Sequence, residues 1–212
     1  MHLEGGDQQQ LQLHGCNCRS YMSLHLNFLQ ENPSRQEWQV ILNGVAASTN
    51  LIKLHLDAAC SDDSDNNEGA DGACNTPCAR MAGLAGLTNL KDLCITNGAQ
   101  LLAPGDALAL TAHSGLTRLE LGHDDAGVGD EAAAALAGSC QQLQHLNLTD
   151  CSLVSMACLA NVAHLTQLTQ LRLKGNSRLT QQGLMLLTGL KRLQHLEGER
   201  STDVTDEVME RF

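Results

Sequence analysis

The sequence predicts an α/β solenoid in which parallel strands line a concave face and short helices cover a convex one. Three observations point there. A leucine pattern recurs at a near-constant period along the 212 residues, and residues that start helices stand in the gaps between its copies. The apolar content is also aliphatic, with 38 leucines against only Tyr21, Phe28, Trp38 and Phe212 among aromatics. A core so uniform suits side chains stacked at equivalent positions.

The pattern is clearest in CQQLQHLNLTDC, from Cys140 to Cys151, where Leu143, Leu146, Leu148 and Cys151 spell L-x-x-L-x-L-x-x-(N/C). Side chains alternate along a strand, so Leu146 and Leu148 point to one face and His145 and Asn147 to the other. Leu143 enters the same core from the turn before the strand. In the turn after it, a small polar side chain can satisfy backbone groups that no neighbouring strand reaches. The bracketing cysteines are open to three readings: a metal site, a disulfide, or side chains that only pack.

Copies of the pattern place the elements in order. Leu11, Leu13 and Cys16 read as a partial first copy, followed by a long return segment, 17–50, that holds Tyr21, Phe28 and Trp38. Trp38, Ile41 and Leu42 share helical spacing there, and the aromatic cluster is expected to shield the end of the core. Leu51, Leu54 and Leu56 form the next strand. An acidic insertion, about 60–75, follows in CSDDSDNNEGADGACNTPC. A calcium loop starting at Asp63 would need glycine where Glu68 stands and glutamate where Cys74 stands. Cys60, Cys74 and Cys78 show no fourth zinc ligand, so the stretch is expected to be a solvated insertion. Thr76-Pro77 then opens a helix over CARMAGLAGL.

Further copies are Leu90, Leu93 and Ile95; Leu116, Leu119 and Leu121; Leu168, Leu171, Leu173 and Asn176; and a degenerate Leu193 and Leu196. Asp130, Ser155 and Thr180 stand as N-caps before EAAAALAG, MACLANVA and QQGLMLL. First positions at 51, 90, 116, 143, 168 and 193 give steps of 39, 26, 27, 25 and 25. Finally, NSRLTQQGLML is echoed by STDVTDEVMER, after which the sequence stops within a repeat, as a fragment of a longer protein would.

On these residues the chain resembles leucine-rich-repeat proteins over nearly its whole length, as one domain, 1–212, of about seven repeats. Cys140 to Cys151 resembles the cysteine-containing repeat of F-box/LRR proteins, C-x-x-L-x-x-L-x-L-x-x-C. That resemblance implies substrate recognition in ubiquitin-dependent degradation, with a protein partner held on the concave face. No N-terminal F-box is visible ahead of Leu11. A structural scaffold of the cytoskeleton or cilium and a regulator of a GTPase are the alternative readings.

Composition narrows the partner. A net charge of −11 argues against nucleic acid and against an anionic membrane surface. No signal peptide or transmembrane run is present, and nine irregularly spaced cysteines suit a reducing compartment, so a cytoplasmic protein is expected, with the nucleus or the cytoskeleton or cilium as alternative locations. No phosphate loop, nucleophile elbow or H-E-x-x-H motif appears. His145 and His195 lie two strands apart, roughly 10 Å, and His14, His55 and His123 read as solvated. The expectation is a protein without enzymatic activity, cofactor or metal. Its binding residues are outward positions of successive strands, Lys53, His55, Asp92, Arg118, Glu120, His145, Asn147, Gln170 and Arg172, with Cys94 at a further outward position.

Overall fold

A computed structural model describes residues 2–4, 22–27, 35–57, 81–96, 106–122, 130–151, 155–176 and 179–198. Among the described residues eight strands form one sheet in sequence order, every neighbouring pair parallel. They are β1 (His2–Glu4), β2 (Met22–Asn27), β3 (Leu51–Asp57), β4 (Asp92–Thr96), β5 (Arg118–Glu120), β6 (His145–Asn147), β7 (Gln170–Leu173) and β8 (His195–Gly198). Return segments hold α1 (Arg35–Ala46), 3-10 turns at Met81–Gly86 and Asp106–Ala112, α2 (Asp130–Ser139), α3 (Met156–Val162) and α4 (Gln181–Leu186). This is the leucine-rich-repeat solenoid. Among the described residues no helix is long and apolar enough to cross a membrane.

Register builds the core. Leu24, Leu54, Leu93, Leu119, Leu146, Leu171 and Leu196 are successive cross-strand partners. Leu26, Leu56 and Ile95 form a parallel column, continued by the buried Leu121, Leu148 and Leu173. A third column, Leu51 at the start of β3 and Leu90, Leu116, Leu143 and Leu168 from the turns before β4 to β7, has no accessible surface. Each of these turns is closed by a backbone bond from three residues back, as in Leu143 N–H to Cys140 O at 3.0 Å and Leu168 N–H to Leu165 O at 3.0 Å. Ser48 apart, the residues that close them form a fourth column of buried side chains, Leu87, His113, Cys140 and Leu165, continued by the buried Leu190, which closes the turn at Leu193.

Local chemistry agrees with the caps. Ser155 Oγ accepts from Cys158 N–H at 3.0 Å, and Thr180 Oγ1 accepts from Gly183 N–H at 3.1 Å. Asp130 differs. It is the first residue of α2 itself, and its carboxylate accepts from the Ser155 hydroxyl, tying the start of α2 to that of α3. The turns leaving β6 and β7 both need a left-handed residue, Asp150 (φ 55°) and Gly175 (φ 74°). A Cβ on Gly175 would sit 1.6 Å from Asp150 Oδ1, so the second turn requires glycine for space as well as for conformation.

One finding corrects the sequence reading and a second adds to it. Segment 17–50 is not one return stretch, because β2 lies inside it, with β1 beyond. Leu24 and Leu26 keep the strand spacing, but Tyr21 stands where the pattern has its first leucine, and β1 retains only Leu3. The template fails while the alternation survives. The second finding is His113, a fully buried histidine in a leucine column, whose Nδ1–H donates to Leu87 O at 3.2 Å. The partial copy at Leu11–Cys16, the acidic insertion, the Thr76-Pro77 cap, His14, His123 and the echo at 201–211 lie outside the described residues. So do Tyr21, Phe28 and the side chain of Trp38, although α1 buries Leu42 and Val45 as the spacing requires.

Truncating Leu146 or Leu171 to alanine removes a member of a closed column, and each change is expected to cost about 2–5 kcal/mol in denaturant unfolding. His113 adds a pH dependence. Burial depresses its pKa below the ordinary 6.5, so the unfolded chain takes up a proton that the folded one resists. Its contribution to stability is complete above about pH 6.5 and is lost as pH falls towards the depressed value. Thermal unfolding at pH 7.5 and 5.5 should therefore show a smaller loss at the lower pH in His113→Leu, which matches its column neighbours, than in the parent chain.

Candidate functional site

The same alternation that buries the leucines pushes two polar rows onto the concave face of the sheet. One row runs Lys53, Asp92, Arg118, His145, Gln170 and His195, each the cross-strand partner of the next. The other runs His25, His55, Cys94, Glu120, Asn147, Arg172 and Glu197. All nine residues expected to form a binding surface therefore lie in two adjacent lines, and the register brings together residues about 25 to 40 apart in sequence.

The half of the surface on β3–β5 is an internal network. Lys53 Nζ lies 3.9 Å from Asp92 Oδ2, and Arg118 Nε lies 3.8 Å from Asp92 Oδ1. The Arg118 guanidinium donates to Glu120, and Cys94 Sγ–H donates to Glu120 Oε2 at 3.3 Å. Glu120 and Asp92 keep only 15% and 18% of their side-chain surface, so neither is the solvated residue that its outward position suggests. Cys94 is corrected further. Although its position is outward, it is buried, because the Glu120 carboxylate lies against the thiol. Burial first, and the Glu120 charge second, push its pKa far above the usual thiol range. The thiol stays protonated and acts as a donor, not as a nucleophile.

The half on β5–β7 is open. A cleft of about 120 Å³ is lined by Arg118, Glu120, His145, Leu146, Asn147, Gln170 and Arg172. His145 Nδ1–H donates to Gln170 Oε1 at 2.9 Å, because the amide oxygen can only accept. Asn147 Oδ1 accepts from Thr149 N–H at 3.0 Å and from its hydroxyl at 2.6 Å. Arg172 Nε lies 3.2 Å from Glu197 Oε2. Glu197 escaped the sequence reading, although it follows Leu196 at the outward position of a degenerate repeat. His195 is separated from His145 by Gln170, and His55 meets His25 edge-to-face at 5.1 Å between ring centres.

The two bracketing cysteines belong to the core, not to this face. Cys151 Sγ–H donates to Leu121 O, one strand back, at 3.0 Å. One repeat later Asn176 Nδ2 donates to Leu148 O, the equivalent carbonyl, at 2.7 Å. Cysteine and asparagine thus do the same work: each caps a carbonyl that the short strands leave open. Cys140 fills a leucine position, with Sγ 3.7 Å from His113 O, and burial pushes its thiol up to about 11. Cys94, Cys140 and Cys158 are free thiols.

Repeat and register together give the leucine-rich-repeat fold. No family model and no curated protein sequence matches the chain. Among solved structures it is similar to an internalin (inlF) of Listeria monocytogenes, with 20% identity and a TM-score of 0.45, over 77% of this chain and 47% of that one. It is also similar to the LRR ectodomain of the Arabidopsis receptor kinase HAESA, solved in complex with an N-terminally extended IDA peptide hormone ligand. There the identity is 17% and the TM-score 0.45, over 84% of this chain and 30% of that one. The chain thus spans less than half the length of either structure.

Replacing Cys151 with asparagine keeps a donor at Leu121 O, and the cost should stay within about 1 kcal/mol. Cys151→Ala leaves that carbonyl unmet in the core, which should cost about 1–3 kcal/mol. Equilibrium unfolding of the two variants checks the difference. Stoichiometric zinc in the purified parent, lost with either change, would overturn the packing account.

Proposed function

We propose that this protein is a non-catalytic binding module whose concave sheet grips a protein partner. The observation that carries the reading is the division of the face: a charge network that locks β3–β5, beside an open polar cleft on β5–β7. Side chains held by their neighbours lose little freedom on association, so a surface built this way is suited to binding. The groups that would be chemically tempting are already committed, His145 to Gln170 and Cys94 to Glu120.

The finer form of the proposal is substrate recognition of the F-box/LRR type, in ubiquitin-dependent degradation in the cytoplasm. Its support is the cysteine-containing repeat, in which Cys140 and Cys151 both occupy closed core positions. Affinity capture from a cell lysate tests both levels. A concave variant, His145→Ala with Gln170→Ala and Arg172→Ala, should lose most of the captured partner. A convex control, Gln181→Ala with Gln182→Ala, should retain it. Cullin-ligase subunits in the specific set would support the finer form, whereas cytoskeletal proteins or a GTPase in their place would replace it. Equal capture by the concave variant and the parent would refute the proposal at both levels.

A further inference from the structure

The hydrogen-bonding capacity left over in the cleft is unequal. Asn147 has committed its oxygen to Thr149, which leaves its NH2 group as the remaining polar function. Gln170 has committed its oxygen to His145, which again leaves an NH2 group. Arg172 Nε is buried and makes an ion pair with Glu197 but no hydrogen bond, and Arg118 Nε is likewise buried without one. Glu120, the carboxylate of the lining, is taken up by Arg118 and Cys94. The acceptors left on the wall are fewer than the donors: His145 Nε2, the second lone pair of Gln170 Oε1 and the unused sites of the Glu120 carboxylate. Amide and guanidinium groups that offer donors around a small cleft complement a ligand with several lone pairs and no hydrogens to give. Two guanidinium groups in the lining favour a charged acceptor over a neutral carbonyl, since charge-assisted bonds are roughly twice as strong.

We infer that the cleft between β5 and β7 receives a carboxylate of the protein partner, carried by an acidic side chain or by a chain terminus. This rests on the concave-face reading above and names the chemistry that the face would select. Glu197 then has a second role. On β8, with 44% of its side chain exposed, it is the carboxylate that occupies Arg172 in the unbound protein. A partner's carboxylate must share or displace it, so Glu197 competes with the ligand and sets its affinity.

Three isosteric changes separate donor chemistry from shape. Asn147→Asp keeps the oxygen that holds Thr149 and replaces only the NH2. Gln170→Glu does the same beside His145. Glu197→Gln removes the competing charge. Side-chain amide NMR of the full chain would follow titration with glutarate and with degenerate hexapeptide pools. Those pools are an acidic one with amidated ends, a neutral one with free C-termini, and a basic one with amidated ends. The expected result is saturable shifts at Asn147, Gln170 and Arg172 with glutarate and one of the first two pools, which identifies side chain or terminus as the source. Asn147→Asp and Gln170→Glu should each weaken binding roughly tenfold or more, the loss of a hydrogen bond to a charged group. Glu197→Gln should tighten it. Shifts produced by the basic pool alone would overturn the carboxylate assignment and leave protein binding standing. No saturable shift with any probe would also overturn the assignment, while the lysate capture decides the broader reading independently. Tighter binding absent in Glu197→Gln would remove the competitor role.

Discussion

Everything in this molecule depends on equivalent residues of successive repeats standing directly beside one another across a parallel ladder. One strand with two inward leucines and a short helix cannot enclose a core, so each repeat is stable only because the next one covers it. The Leu54–Leu93–Leu119–Leu146–Leu171 column is that dependence made visible, with four of the five losing all accessible surface and Leu146 keeping 3%. The third and fourth columns extend it to the turns, and the hydrogen bonds that close those turns recur at 2.9–3.1 Å in each repeat.

A column imposes its environment on whatever residue occupies it. His113 and Cys140 are buried because leucine is buried at their position in the repeats on either side. His113 is satisfied at Nδ1 by the Leu87 carbonyl while its Nε2 lies buried without a partner, and Cys140 makes weak contacts with the carbonyls of Leu110 and His113. Cys151 and Asn176 show the complementary case, a position defined by an open carbonyl rather than by volume. Any small donor suffices there, which is why two chemically different residues alternate.

The concave face obeys the same rule with charge in place of volume. Like charges on neighbouring strands repel, and here Lys53, Asp92 and Arg118 alternate in sign along one row. Among the ion-paired residues of the face, Lys53, Arg118 and Arg172 balance Asp92, Glu120 and Glu197. The charge of −11 is therefore a property of the chain and not of these pairs. What distinguishes the β5–β7 cleft is the direction of its unused hydrogen bonds, a more selective feature than net sign.

Spacing alone determined β3 to β8, their inward and outward sides, and the caps at Ser155 and Thr180, because alternation along a strand and the first turn of a helix are local properties. The period also placed all nine expected binding residues on one face. It missed β1 and β2, where Tyr21 and a lone Leu3 break the template without breaking the strand. Only the tertiary structure decided that Cys94 is buried, that Glu120 is held from two sides, that His113 is a core residue, and that Glu197 reaches Arg172. Apart from the hold of Arg118 on Glu120 along the same strand, each of these rests on a neighbour about 25 residues away, set by register and side-chain reach across strands. A pattern read along the chain records which face a residue occupies, but the contact that fixes its burial and charge lies perpendicular to the chain.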